Sequence, residues 1–139
     1  MSDECQRIET VLAVDSDEDN LCLLKSILGL KGLDVLTAVN GQEAVDLAVR
    51  WRPDLILIDL KLPVVSGFSA VRQIRRFPSL EHVTIVSFAL SKPGCHRELA
   101  LAAGCAAHLD KPLDFDELDL IVDRFLPGHT LELASFLVH

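Results

Sequence analysis

At 139 residues, half of them apolar and 24% charged, the chain is long enough for one domain with a buried core and too apolar to be disordered. Thirteen Lys and Arg against 21 Asp and Glu leave a net charge of −8, which argues against a broad electrostatic footprint for nucleic acid. No apolar run approaches the ~20 residues that cross a bilayer, and the acidic start Met1-Ser2-Asp3-Glu4-Cys5 is unlike a secretory signal, so a soluble, cytoplasmic protein is expected.

Along the chain, short continuous apolar runs alternate with longer segments of helical period. The first run, Val11-Leu12-Ala13-Val14, suits a strand buried on both faces of a parallel sheet. Leu21, Leu24 and Leu28 then form a helical stripe, and Gly32 follows where a left-handed residue is often needed. A weaker strand fits 34–37. The helix after it, over about 42–49, carries Asn40 three residues before Glu43, the spacing of a capping box. Leu55-Ile56-Leu57-Ile58 is the third strand, and Phe68, Val71 and Ile74 stripe the third helix. The run from Val83 through Ser87 opens a fourth strand reaching about Ala89. Pro93 suits the first turn of a helix over 93–103, which ends before Gly104. A weak fifth strand at 105–109 precedes a last stripe of Leu118, Ile121, Val122 and Phe125.

Five strands, each followed by a helix, predict a doubly wound (βα)5 domain of the α/β class. Right-handed crossovers then force a parallel sheet with helices on both faces. The domain is expected to span 8–126. Residues 127–139 are expected to be a tail too short for another domain, and its apolar stretch 131–138 is expected to dock as a terminal helix or to support a weak homodimer of an otherwise monomeric chain. Cys5, Cys22, Cys95 and Cys105 contain no CxxC pair, which argues against zinc and for reduced thiols, with Cys22 and Cys105 packed as small hydrophobes.

In an open parallel sheet, ligands gather outside the carboxyl ends of the strands. The residues just past each run are therefore the candidates: Asp15-Ser16-Asp17-Glu18-Asp19, then Asp59, then Asp110-Lys111-Pro112. Two carboxylates meeting one lysine describe a site for a small divalent cation and an oxyanion. Asp59 would be a nucleophile toward phosphorus, Asp15 would help hold Mg2+ through oxygen, and Lys111 would neutralise the transferring group. Each also has a plain reading: Asp15 as a helix cap, Asp59 as a solvated loop acid, Lys111 as a surface charge.

The stretches VLAVDSDEDN (11–20), DLILIDLKLPVVSGF (54–68) and AAGCAAHLDKPL (102–113) resemble the receiver domain of two-component response regulators, from about Ile8 to Phe125. The resemblance implies a flavodoxin-like sheet in the order 2-1-3-4-5, and phosphorylation of a strand-3 Asp from a partner's phosphohistidine with Mg2+. It implies that Asp59 is the phosphoacceptor and Lys111 the lysine that contacts the phosphoryl group. Asp15 then matches the first residue of the acidic pair, and Lys61 the residue whose backbone carbonyl binds metal. A sensor histidine kinase or phosphotransfer protein and a separate downstream protein are the implied partners. Chemistry would be limited to the phosphorylation and dephosphorylation of this aspartate, without turnover of a small substrate.

Two departures from the family pattern stand out. Ser16 replaces the second acid, which predicts weak Mg2+ binding, and Asp17 is the nearest substitute. Counting from Asp59 and from Lys111, the position of the strand-4 hydroxyl falls on Ala89. Ser87 lies two residues earlier on the same face, where a shifted strand would offer its oxygen. Without a hydroxyl a phosphoryl oxygen loses one hydrogen bond, of order 1.5–3 kcal/mol. Leu90 occupies a normally small position and is expected to narrow access. His108 matches the family's switch position; its plain reading is a strand-end His with one solvated nitrogen. Coupling of phosphorylation to the helix 4–strand 5–helix 5 face is expected to be weak.

Other readings fare worse. An EF-hand fails at Asn20 and Ser26, where Gly and Glu are needed. A flavin phosphate would be repelled by the Asp15–Asp19 run, and an aspartyl phosphatase would usually carry Asp where Lys61 stands. The competitor of a different class is a degenerate receiver acting as a phosphorylation-independent interaction module.

Overall fold

A computed structural model of the chain describes residues 8–90 and 96–126. Strands β1 (Thr10–Val14), β2 (Asp34–Ala38), β3 (Leu55–Asp59), β4 (Thr84–Leu90) and β5 (Ala107–Lys111) alternate with helices α1 (Glu18–Leu30), α2 (Gly41–Trp51), α3 (Gly67–Arg75), α4 (His96–Ala103) and α5 (Phe115–Phe125). The sheet is wholly parallel in the order β2-β1-β3-β4-β5, the expected doubly wound arrangement. Among the described residues no helix is long and apolar enough to cross a membrane.

The continuous apolar runs follow from two-sided burial, because successive side chains of a strand point to opposite faces. Leu12, Val14, Ile56, Ile58 and Ile85 pack with Ala44, Val45 and Ala48 of α2, Val71 and Ile74 of α3, and Ala100 of α4. Val11, Ala13, Leu55, Leu57, Val86 and Phe88 pack on the other face with Leu21, Leu24 and Leu28 of α1 and Leu118 and Val122 of α5. Lys31, at the end of α1, pairs with Asp119 and Asp123 and ties that helix to α5.

The caps behave as the spacing suggests. Glu43 N donates to Asn40 Oδ1 at 2.9 Å, while the Glu43 carboxylate accepts from Val39 N, one residue before the cap. Gly32 and Gly104 take φ of 84° and 119°, conformations that side chains resist.

Several boundaries move. β5 starts two residues later than the apolar run, because Cys105 N donates to Ala100 O and closes α4, and Ala106 N donates to Ile85 O. β4 starts at Thr84 and runs to Leu90, so its carboxyl end reaches the edge of the cleft described below. Cys22 is exposed, not packed: it sits one residue past Leu21, off the Leu21–Leu24–Leu28 stripe. Cys105 is buried as expected. The proposed start at Pro93, Cys5, Cys95 and the tail 131–138 lie outside the described residues.

Candidate functional site

β1 and β3 are neighbours at the centre of the sheet, so the residues at their carboxyl ends emerge side by side. Asp15 follows β1 directly and is anchored by its own amide, which donates to Ala38 O of β2 at 3.1 Å. Asp59 is the last residue of β3, inside the strand and not in the loop after it. Both are buried, at 1% and 6% exposure, so the plain reading of Asp59 as a solvated loop acid fails.

Lys111 closes the arrangement from β5, two strands away from β3. Its Nζ donates to Asp59 Oδ2 at 2.8 Å and to Asp15 Oδ2 at 3.0 Å. To get there the side chain crosses the Phe88 ring, with Nζ 5.2 Å from the ring centroid. That contact stabilises an ammonium over an aromatic face. Phe88 stands opposite Asp59 in the β3–β4 register, so it lies on the path between them. Burial works to lower the pKa of Lys111, but the hydrogen bonds and negative charges of Asp59 and Asp15 outweigh it and hold the group above its ordinary 10.5. The ammonium therefore stays charged at neutral pH. It neutralises one of the two carboxylates and leaves the cluster net negative.

The remaining oxygens are aimed by local donors. Asp15 Oδ1 accepts from Asp17 N at 2.9 Å, and Oδ2 also accepts from Asn20 Nδ2 at 3.2 Å. Asp59 Oδ1 accepts from Lys61 N at 2.9 Å. The chain after Asp59 is pinned by Leu60 N to Phe88 O and by Gly67 N to Leu60 O, both 3.0 Å. Asn20, Phe88 and Gly67 carry no charge signature in the sequence. Only the fifth-residue spacing of Asn20 from Asp15, which returns it over the first turn of α1, hints at its part.

Asp15, Ser16, Asp59, Lys61, Ala89 and Lys111 line one cleft, whose rim carries the exposed apolar side chains Leu23, Leu90 and Phe115. Leu90 is 54% exposed and lines the cleft. Asp17, the nearest substitute for the second acid, lines the same cleft and is also the N-cap of α1, with Oδ1 accepting from Asp19 N at 2.9 Å. That commitment follows from its place at the helix start, where an orphan amide needs an acceptor. Among the described residues no group of three or more His, Cys, Asp or Glu side chains is placed to hold a metal. Two carboxylates and neighbouring hydroxyl and carbonyl oxygens fit Mg2+, a hard cation that keeps several waters, better than any soft metal.

β4 is not shifted to bring Ser87 into the cleft. Ala89 lines it, and Ser87 is fully buried one pleat away, with Oγ 2.8 Å from Nδ1 of His108. His108 does not have a solvated nitrogen: Nε2 is buried without a hydrogen-bond partner among the described residues. Burial pushes the pKa of His108 below its ordinary 6.5, against the attraction of Asp110 and with the repulsion of Arg97 and His96.

Residues 11–123, which hold the acid pair, the β5 lysine and the 2-1-3-4-5 sheet, match the response regulator receiver domain. The chain belongs to this family. The polar-differentiation response regulator DivK of Brucella anthropi is 31% identical over 105 residues, covering 76% of this chain and 85% of that protein. The receiver domain of the sensor histidine kinase PA1611 from Pseudomonas aeruginosa, solved with magnesium in its active-site cleft, is 32% identical with a TM-score of 0.79, covering 87% of this chain and 99% of that one. The receiver domain of Ssk1 from Saccharomyces cerevisiae, solved with the histidine phosphotransfer protein Ypd1, is 31% identical with a TM-score of 0.79, covering 85% and 88%. This receiver thus has relatives both among response regulators and among receivers of kinases.

Proposed function

We propose that this receiver, spanning residues 8–126, accepts a phosphoryl group on Asp59 in the cytoplasm and signals by docking to separate proteins. The observation that carries the reading is the Lys111 ammonium joining Asp59 and Asp15 at 2.8 and 3.0 Å. A buried carboxylate beside a fixed cation is what in-line attack on phosphorus needs. An Asp59 oxygen would form the new P–O bond as the P–N bond of a partner's phosphohistidine breaks, and the imidazole leaves with the electron pair. Lys111 would stabilise charge on the transferred oxygens. The magnesium in the PA1611 receiver and the Ypd1 partner of Ssk1 support a metal-assisted relay from a histidine kinase or phosphotransfer protein.

Asp15, Asp59 and the Lys61 carbonyl would hold Mg2+, which when bound supplies charge neutralisation at the phosphoryl oxygens. Ser16 favours weak binding, since its hydroxyl stands where an acid usually stands. Changing Ser16 to Asp adds a full charge at the cleft and is expected to tighten Mg2+ about tenfold or more by titration calorimetry. An unchanged affinity would mean that position 16 does not reach the ion.

Incubation with acetyl phosphate and Mg2+, followed by intact mass, tests the whole reading. Wild type is expected to gain one phosphoryl group and Asp59→Asn none. Identical spectra would favour the second reading, an interaction module independent of phosphorylation, to which Ser16 and Ala89 already lend support.

A further inference from the structure

With Ala89 lining the cleft, β4 presents a methyl group to a phosphoryl oxygen where a hydroxyl would be useful. The strand's hydroxyl lies one pleat away and is engaged elsewhere. Ser87 stands opposite His108 in the β4–β5 register, both are buried, and Oγ lies 2.8 Å from Nδ1. Cys105 adds a third member. Burial raises the pKa of its thiol and keeps it protonated, while a hydrogen bond to Ser87 and the charge of Arg75 pull the other way.

The pair is joined in either tautomer: the Ser87 hydroxyl donates to an unprotonated Nδ1, leaving the ring proton on Nε2, or a protonated Nδ1 donates to Ser87 Oγ. The other acceptor for the hydroxyl, Ala107 O, is 3.5 Å away, a poor distance. Nε2 has the Asp110 carboxylate at 3.7 Å, and Arg97 and His96 of α4 act on the ring by charge repulsion. One end of the ring is therefore tied and the other is only attracted.

We propose that the Ser87–His108 pair is a latch on the α4–β5–α5 face, holding the β5 ring inward whether or not Asp59 carries a phosphoryl group. Turning the ring out breaks the Ser87 bond and leaves the buried hydroxyl only the long contact to Ala107 O. A ligand shifts such an equilibrium only by its differential affinity for the two states. A phosphoryl group on Asp59 finds no hydroxyl at position 89 through which to exert one. Only the insensitivity to phosphorylation rests on the Asp59 reading; the latch itself stands on the pair.

The test is carbethoxylation of the full chain by diethyl pyrocarbonate, read by peptide mass spectrometry, with exposed His82 as internal reference. In wild type His108 is expected to react several-fold more slowly than His82, equally so before and after treatment with acetyl phosphate and Mg2+. Ser87→Ala is expected to speed His108 several-fold without changing His82, and Ser87→Thr, which keeps the hydroxyl, to preserve protection. Ser87→Cys, close in size and weaker in hydrogen bonding, repeats the release if alanine loosens the core, with slow amide exchange in β3 showing an intact fold. Protection of His108 in both the alanine and the cysteine variants overturns the latch. So does a reactive His108 in phosphorylated wild type. Intact mass of the same samples reports uptake on Asp59 separately. Its absence there counts against the phosphoacceptor reading, while the Ser87 variants still decide the latch on unmodified protein.

Discussion

Replacing Lys111 with methionine is expected to destabilise the fold by about 2 kcal/mol at neutral pH and to slow phosphoryl uptake by about a hundredfold or more. The first figure follows from what the ammonium leaves behind. Asp15 and Asp59 both bond the same nitrogen, so two buried carboxylate oxygens face each other within about 6 Å once it is gone. Removing one partner of a fully buried pair costs roughly 3–5 kcal/mol; a cleft open to water on one side lowers the penalty. The pH dependence carries the sign. In wild type the Lys111 pKa lies above 10.5, so its contribution is complete below 10.5 and is lost as pH rises through the higher folded value. The variant lacks that alkaline limb. Urea denaturation from pH 7 upward measures it. A variant as stable as wild type at pH 7 would show that the bridge contributes nothing net to folding, while the labelling rate would still report its part in the chemistry.

The three side chains of this cluster were legible in the sequence because the rules that place them are topological. A parallel doubly wound sheet sends the ends of β1 and β3 to one edge, and a charged residue directly after an apolar run marks that edge. The central strands β1 and β3 were equally clear, since two-sided burial leaves no alternation to misread. At β5 the boundary slipped, because Cys105 and Ala106 look like strand residues while Cys105 N closes α4 against Ala100 O. Asp17 illustrates a different limit. An acid one residue past Ser16 reads as a candidate metal ligand by spacing alone, and only the structure shows that one of its oxygens also caps the Asp19 amide at the start of α1.

What stayed hidden depends on register. Nothing in the linear spacing of Ser87 and His108 shows that they stand opposite one another, or that the hydroxyl is spent on the ring. Phe88 is similar: as a residue in an apolar run it reads as core, and only the pairing with Asp59 makes it the surface over which Lys111 travels. The departures at Ser16 and Ala89 thus do not simply remove parts from the site. On β4 a methyl group lines the cleft at Ala89, while the strand's hydroxyl at Ser87 is buried against His108.

Gly67→Ala is expected to cost about 3 kcal/mol or more and to disable the cleft with it. Its φ is not in the left-handed region, so the constraint is space rather than conformation. A Cβ there would lie 2.2 Å from the Asp59 carbonyl oxygen and 2.5 Å from Leu60 Cα, distances that backbone atoms cannot relieve by rotating a side chain. Relief requires α3 to withdraw from the end of β3, which breaks the Gly67 N to Leu60 O bond and shifts the residue whose carboxylate Lys111 holds. A displacement of about 1 Å at a reacting group is enough to cost roughly a hundredfold in rate. Gly29→Ala supplies the contrast: nothing lies within 4 Å of its new methyl, and it sits on the exposed side of α1. Alanine there is expected to stabilise by about 0.5–1 kcal/mol through helix propensity alone. Denaturation midpoints and acetyl phosphate labelling of both variants separate the two effects. A Gly67→Ala protein with wild-type stability and labelling would mean that α3 is free to move away from β3, and that the close approach does not set the position of Asp59.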